Sequence, residues 1–198
     1  MDRFKVRRQA KKRIYVHNDL SNVAFYLRNR IEEKEASGDR EGISLDVMAC
    51  LAMLAFEFEA KVNFIGAKAV HGWKERQPFK NKVQAISDAI GYKLDESTRP
   101  YQTICNLKYL RDSFAHGKPA EIEIDETVDL TEEQLYETLD LNGEWEDQLT
   151  PEFVRICSED IDSLWKEWLV LANIELFETI TSGEDGITIL EKYSDAGT

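Results

Sequence analysis

The stretch Leu110-Arg111-Asp112-Ser113-Phe114-Ala115-His116-Gly117-Lys118-Pro119 gathers the side chains of this 198-residue chain best suited to chemistry. Arg111 offers a planar, permanently charged fork that grips a phosphate through parallel hydrogen bonds. His116 belongs to the residue type that titrates near neutrality and serves as general acid or base. Gly117 followed by Pro119 reads as a helix stop, so His116 is expected in the last turn, where unsatisfied carbonyls favour its protonated form. Asp112 stands four residues earlier on the same face and is placed to hydrogen-bond the ring. On an ideal helix the step from Arg111 to His116 turns through about 140°, so one helix converges the two poorly. Two such helices meeting about a two-fold axis, or an unwound helix end, would aim both pairs into one cleft. That assembly suits cleavage of an RNA phosphodiester by the adjacent 2′-hydroxyl, with imidazole moving protons and guanidinium meeting the developing charge. Such chemistry needs no metal or cofactor, and the sequence carries no zinc spacing, Gly-rich phosphate loop or nucleophile elbow. The same residues also fit a histidine that caps helix carbonyls beside an arginine in a surface ion pair.

Helical periodicity supplies the frame for these residues. Tyr15 to Ala36 carries Leu20, Val23, Ala24, Leu27 and Ile31 on one face and closes at Gly38. Ser44 reads as the cap of a second helix reaching about Val70; its first half, VMACLAMLAF, is apolar all round and belongs in the middle of a core. Pro78, Phe79, Val83, Ile86 and Ile90 mark a third helix ending at Gly91. A fourth, from about Ser97 to His116, aligns Tyr101, Ile104, Leu107, Leu110 and Phe114. Thr150, Pro151 and Glu152 announce the last: a cap, a proline in the first turn and an acid at the positive end of the dipole. Its inner face comprises Ile161, Leu164, Trp165, Trp168, Leu169, Ala172 and Leu176. The expected fold class is all-α, an antiparallel helical bundle of about five helices. A small acidic strand-like insertion spans 120–149, where EIEIDETV alternates, Thr131 to Gln134 has the capping-box pattern and Asn142-Gly143 signals a turn. The domain reading is therefore a basic arm over 1–14, the helical domain over 15–182 and a fraying tail over 183–198.

The net charge of −13 conceals an asymmetry. Residues 112–198 hold 24 acidic against four basic side chains, so residues 1–111 carry +7. Seven of the first thirteen residues are Lys or Arg, an arm suited to RNA phosphates or to a solubilising tail. The opening residues lack a signal-peptide pattern, and the longest apolar stretch, Val47 to Phe56, is about half of a membrane span, so a cytoplasmic location without membrane partners is expected. Cys50, Cys105 and Cys157, odd in number and set in apolar stretches, read as reduced core cysteines. His17 and His71 receive no role, and Trp165 and Trp168 read as core. In FEFEAKVNFIG, Glu59 and Asn63 share a face and read as a solvated face or a local side-chain pair, with bracing of the motif helix as the alternative.

The run from Leu110 to Gly117 resembles the signature of the HEPN superfamily (higher eukaryotes and prokaryotes nucleotide-binding): arginine, a short spacer, then histidine near a helix end, after an apolar residue and with a polar residue following the arginine. The likeness is sharp across the motif and looser over 44–117. It implies a helical bundle that dimerises and, in active members, a metal-independent endoribonuclease whose composite site unites the motifs of two protomers. On that basis Arg111 and His116 are the expected catalytic pair and Asp112 their polar support. Lys108 and Lys118, flanking the motif, are the candidate substrate-binding cations. RNA is the expected substrate, a homodimer the expected assembly, and the family's frequent place in toxin and antiviral systems implies a neutralising protein partner. Toxin members often carry a tyrosine two places beyond the histidine; here that residue is Lys118, so the resemblance does not extend to regulation through that tyrosine. The rival expectation is a non-catalytic helical module for dimerisation or protein interaction.

Overall fold

The computed structural model describes residues 3–119, 121–132, 134, 141–143 and 145–193. Among these the chain forms β1 (Arg3–Arg13), α1 (Val16–Ser37), α2 (Ile43–Ala69), α3 (Phe79–Ile90), α4 (Tyr101–His116), α5 (Pro151–Leu171) and β2 (Ser182–Tyr193). Short 3₁₀ turns occupy Glu146–Gln148 and Leu176–Thr179.

The helical expectation holds because the apolar pattern demands it, although α2, expected in the middle of the core, leaves Ala49 and Phe56 exposed. α2 packs against α1, α3, α4 and α5, and Val47, Cys50, Leu51, Leu54, Phe58, Val62 and Ile65 along it are buried. Its neighbours present Ile31, Ile86, Leu107, Leu110, Ile161 and Trp168 to the same core. α1 runs antiparallel to α2, since Lys34 near its end pairs with Asp46 while His17 at its start packs on Phe64. α5 runs in the same sense as α2: Arg155 pairs with Glu35 and Trp165 packs on Phe64. The bundle is thus not antiparallel throughout. Thr150 caps α5 as expected, accepting the Phe153 N–H at 3.1 Å.

Several boundaries differ. Gly42, with φ of 63°, turns the chain into α2, so Ser44 lies in the first turn and not at the cap. α4 starts at Tyr101, because Pro100 biases Arg99 away from helical dihedrals. α5 ends at Leu171, which leaves Leu176 exposed beyond it.

Two larger corrections concern strands. The fold is not strictly all-α, since the basic arm and the tail pair as an antiparallel ribbon running from Arg3 opposite Tyr193 to Arg13 opposite Ser182, with a bulge between Lys5 and Val6. Conversely, 121–130 alternates like a strand and forms none; alternation describes a face, and a strand also needs an edge to pair with. The capping box at Thr131 and Gln134 does form, each backbone N–H donating to the other's side chain.

His17 ties the ribbon to the bundle. Its Nε2 lies 3.1 Å from the Thr179 carbonyl, and its ring packs among Tyr15, Phe64 and Trp165. Asn18 donates to the same carbonyl and accepts the Thr181 N–H. Burial pushes the His17 pKa below its ordinary value, the Thr179 hydrogen bond opposing and Lys61 reinforcing the shift. The unfolded chain then binds a proton that the folded chain resists, so stability is lost as pH falls below about 6.5. The thermal midpoint should drop between pH 7.5 and 5.5, and His17→Gln should flatten that drop; an unchanged slope in the variant contradicts the assignment.

Candidate functional site

Four of the five expected site residues lie on α4, and the core sets their directions. Leu107 and Leu110 are buried against α2, which turns Arg111 toward the α2–α3 seam. There its Nη2 donates to Glu59 Oε2 at 2.9 Å, and its Nε lies 3.3 Å from Asp112 Oδ1. The other Glu59 oxygen accepts from Lys82 Nζ at 3.0 Å, which also donates to Asn63 Oδ1 at 3.2 Å. Lys108 pairs with Asp112. The result is one network, Lys82–Glu59–Arg111–Asp112–Lys108, spanning α3, α2 and α4 with three cations against two anions. Lys82 is 2% exposed and depends on Glu59, whereas Arg111 remains 24% exposed at the rim.

Glu59 and Asn63 are therefore neither a solvated face nor a local pair. They meet α3 and, through Glu59, brace α4, the alternative that the sequence left open. The signal was their shared face; what it lacked was which helix would approach it.

His116 occupies the last turn of α4, exposed, with Gly117 ending the helix as expected. Among the described residues neither His116 nor Lys118 has a side-chain partner. Asp112 serves Lys108 and Arg111 and does not hold the imidazole. Arg111 and His116 thus have different surroundings within one chain, as their angular separation requires. The crevice beside Arg111, lined by Phe58, Glu59, Leu107 and Lys108, holds about 10 Å³, room for roughly one water. A phosphate gripped here would be bound at a rim, not enclosed.

A second buried charge cluster escaped the sequence reading. Lys61 pairs with Glu57 at 2.6 Å, both side chains 6% exposed, with Asp162 at 3.8 Å and the Trp165 ring 5.4 Å beneath the ammonium. Ser21 donates to Glu57 from α1. A polar groove of about 210 Å³ among α1, α2 and α5 opens beside this pair. The i,i+4 spacing of an acid and a base inside an otherwise apolar helix was the available signal.

Among the described residues no cluster of three or more His, Cys, Asp or Glu is placed to hold a metal ion, and no helix is long and apolar enough to cross a membrane. The three cysteines are free thiols, and burial pushes Cys50 up to about 12 and Cys157 higher still. Comparison with protein-family models, with curated proteins and with solved structures finds no match to the chain.

The network sets unequal costs for its members. Glu59→Ala strands a buried ammonium and should cost about 3–5 kcal/mol. Arg111→Ala removes a partly exposed partner while Glu59 keeps Lys82, and should cost less than about 1 kcal/mol. Urea unfolding of both variants checks this; equal losses contradict the bridging geometry.

Proposed function

We propose that the protein is a metal-independent endoribonuclease of HEPN type, acting as a homodimer in which the ends of two α4 helices form one cleft. The observation that carries the reading is the motif's setting: an arginine steadied at a rim by Glu59 and Asp112, and, five residues on, a solvent-facing histidine at the helix end. A guanidinium held by carboxylates is oriented, and its exposed part can reach an anion without rearranging the core. Lys108 and Lys118 add positive charge on either side.

In such a cleft one imidazole removes the proton of the ribose 2′-hydroxyl, and the resulting oxyanion attacks the adjacent phosphorus. The P–O5′ bond breaks, and the imidazolium formed in the first step delivers its proton to the leaving oxygen. Products are a 2′,3′-cyclic phosphate and a 5′-hydroxyl. Arg111 compensates the charge that grows on the non-bridging oxygens. Asp112 positions Arg111. The divergence of Arg111 and His116 within one chain is what a two-chain site requires: each helix end brings one imidazole, and the facing arginine comes from across the axis. A role in toxin or defence systems, with a neutralising protein partner, a cytoplasmic setting and RNA as substrate, follows from the same resemblance.

One observation favours the rival reading, a non-catalytic module that dimerises or docks a protein. Arg111 is already paired with Glu59 and Asp112, as a purely architectural arginine would be.

Cleavage of mixed single-stranded RNA in the presence of a chelator separates the two. The ribonuclease reading expects chelator-resistant activity that falls by about 10²–10⁴ in His116→Ala and comparably in Arg111→Ala, with both variants folded. Absence of cleavage by wild type, or equal activity in all three proteins, supports the module.

A further inference from the structure

The ribbon and the acidic insertion are each half of a structure. Every residue of β1 and β2 is exposed, and among the described residues the sheet has two strands, so β1 keeps an open edge there. Two strands with no third strand and no helix beneath them are marginal in water. Residues 121–130 are also exposed, and Ile122, Ile124, Val128 and Leu130 stand among the exposed large hydrophobic residues.

The two segments are complementary in charge and alternation. Along β1 one face carries Arg3, Lys5, Arg7, Gln9, Lys11 and Arg13, and the other Phe4, Val6, Arg8, Ala10 and Lys12, with Ile189 and Ile187 of β2 opposite Val6 and Arg8. Along 121–130 one face carries Glu121, Glu123, Asp125, Thr127 and Asp129, and the other Ile122, Ile124, Glu126, Val128 and Leu130. β1 holds seven cations and no acid; 121–130 holds five acids and no cation. An antiparallel register that sets Phe4 beside Leu130 and Val6 beside Val128 also sets Arg8 beside Glu126, and Lys5, Lys11 and Arg13 beside Asp129, Glu123 and Glu121. A basic edge also repels a second β1, which discriminates against the symmetric alternative.

We infer that β1 is the docking edge for residues 121–130 of a second copy of this chain, which add to the ribbon as a third strand. Within one chain the edge and the segment are both present and stand apart, each exposed, so the occupant comes from another molecule. Reciprocal exchange between two copies closes a dimer with two three-stranded sheets. This interface is separate from the helix ends of α4 and holds whether or not the protein cleaves RNA.

Hydrogen exchange on the full chain, RNA-free and over a range of protein concentrations, tests it. The amides of 121–130 should slow at least tenfold as concentration rises, and the protection should vanish at high salt. Two charge-reversal variants sharpen the test. One is Glu121→Lys with Glu123→Lys and Asp125→Lys. The other is Arg3→Glu with Arg7→Glu and Arg13→Glu, whose β2 partners Tyr193, Thr188 and Ser182 are uncharged, so the ribbon itself is undisturbed. Each variant alone should lose the protection, and an equimolar mixture should regain it. Fast exchange at every concentration overturns the inference, also when a dimer persists by sedimentation. Protection independent of concentration assigns the pairing to the chain's own segment and overturns it too. Fast exchange in 121–130 together with a loss of single-stranded RNA affinity in the arginine variant makes the ribbon a polyanion site instead.

Discussion

The packing of four helices against α2 is the constraint on which the rest of the structure depends. Leu45 and Phe56 keep one stripe of that helix exposed, but on its packed faces each charge must be matched against whatever lies there. Glu57 and Lys61 are matched with each other, with Ser21 from α1 and with Trp165 from α5. Glu59 is matched with Lys82 from α3 and Arg111 from α4. The second match is what gives Arg111 a defined direction. Without the glutamate, an arginine one residue past the buried Leu110 would be one more surface cation.

The same packing explains why His116 is left out. Leu107, Leu110 and Arg111 occupy the face of α4 that meets α2, and five residues further round the helix the ring faces solvent at the terminus. A single chain thus fixes Arg111 firmly through Glu59 and Asp112 and leaves His116 exposed at the helix end. Chemistry that needs both halves needs a second helix end, and the proposed two-fold arrangement is the simplest source of one.

Much of this was legible in the sequence where local pattern suffices. Helix positions followed from apolar periodicity, the start of α5 from Thr150, Pro151 and Glu152, and the end of α4 from Gly117 and Pro119. What was not legible depended on approach between distant segments. Glu59 and Asn63 advertised a face but not the helices that would meet it. The arm over 3–13 read as a tail because its cations mask the alternation of a strand, and its partner lies at the far end of the chain. The segment 121–130 misled in the opposite sense: its alternation was plain, but an alternating pattern names no partner. Arg111 and His116 were correctly located on α4, and their distinct surroundings followed from helix geometry alone.

The claim that one active site draws on two chains is tested most directly by mixing. Arg111→Ala and His116→Ala chains, each inactive alone, are combined under conditions that allow protomers to exchange, and cleavage of single-stranded RNA is followed. Mixed dimers retain an arginine from one chain and a histidine from the other, so the account predicts activity well above that of either variant by itself. If exchange is demonstrated and the mixture stays as inactive as its components, the two side chains do not work across an axis, and the composite site is contradicted.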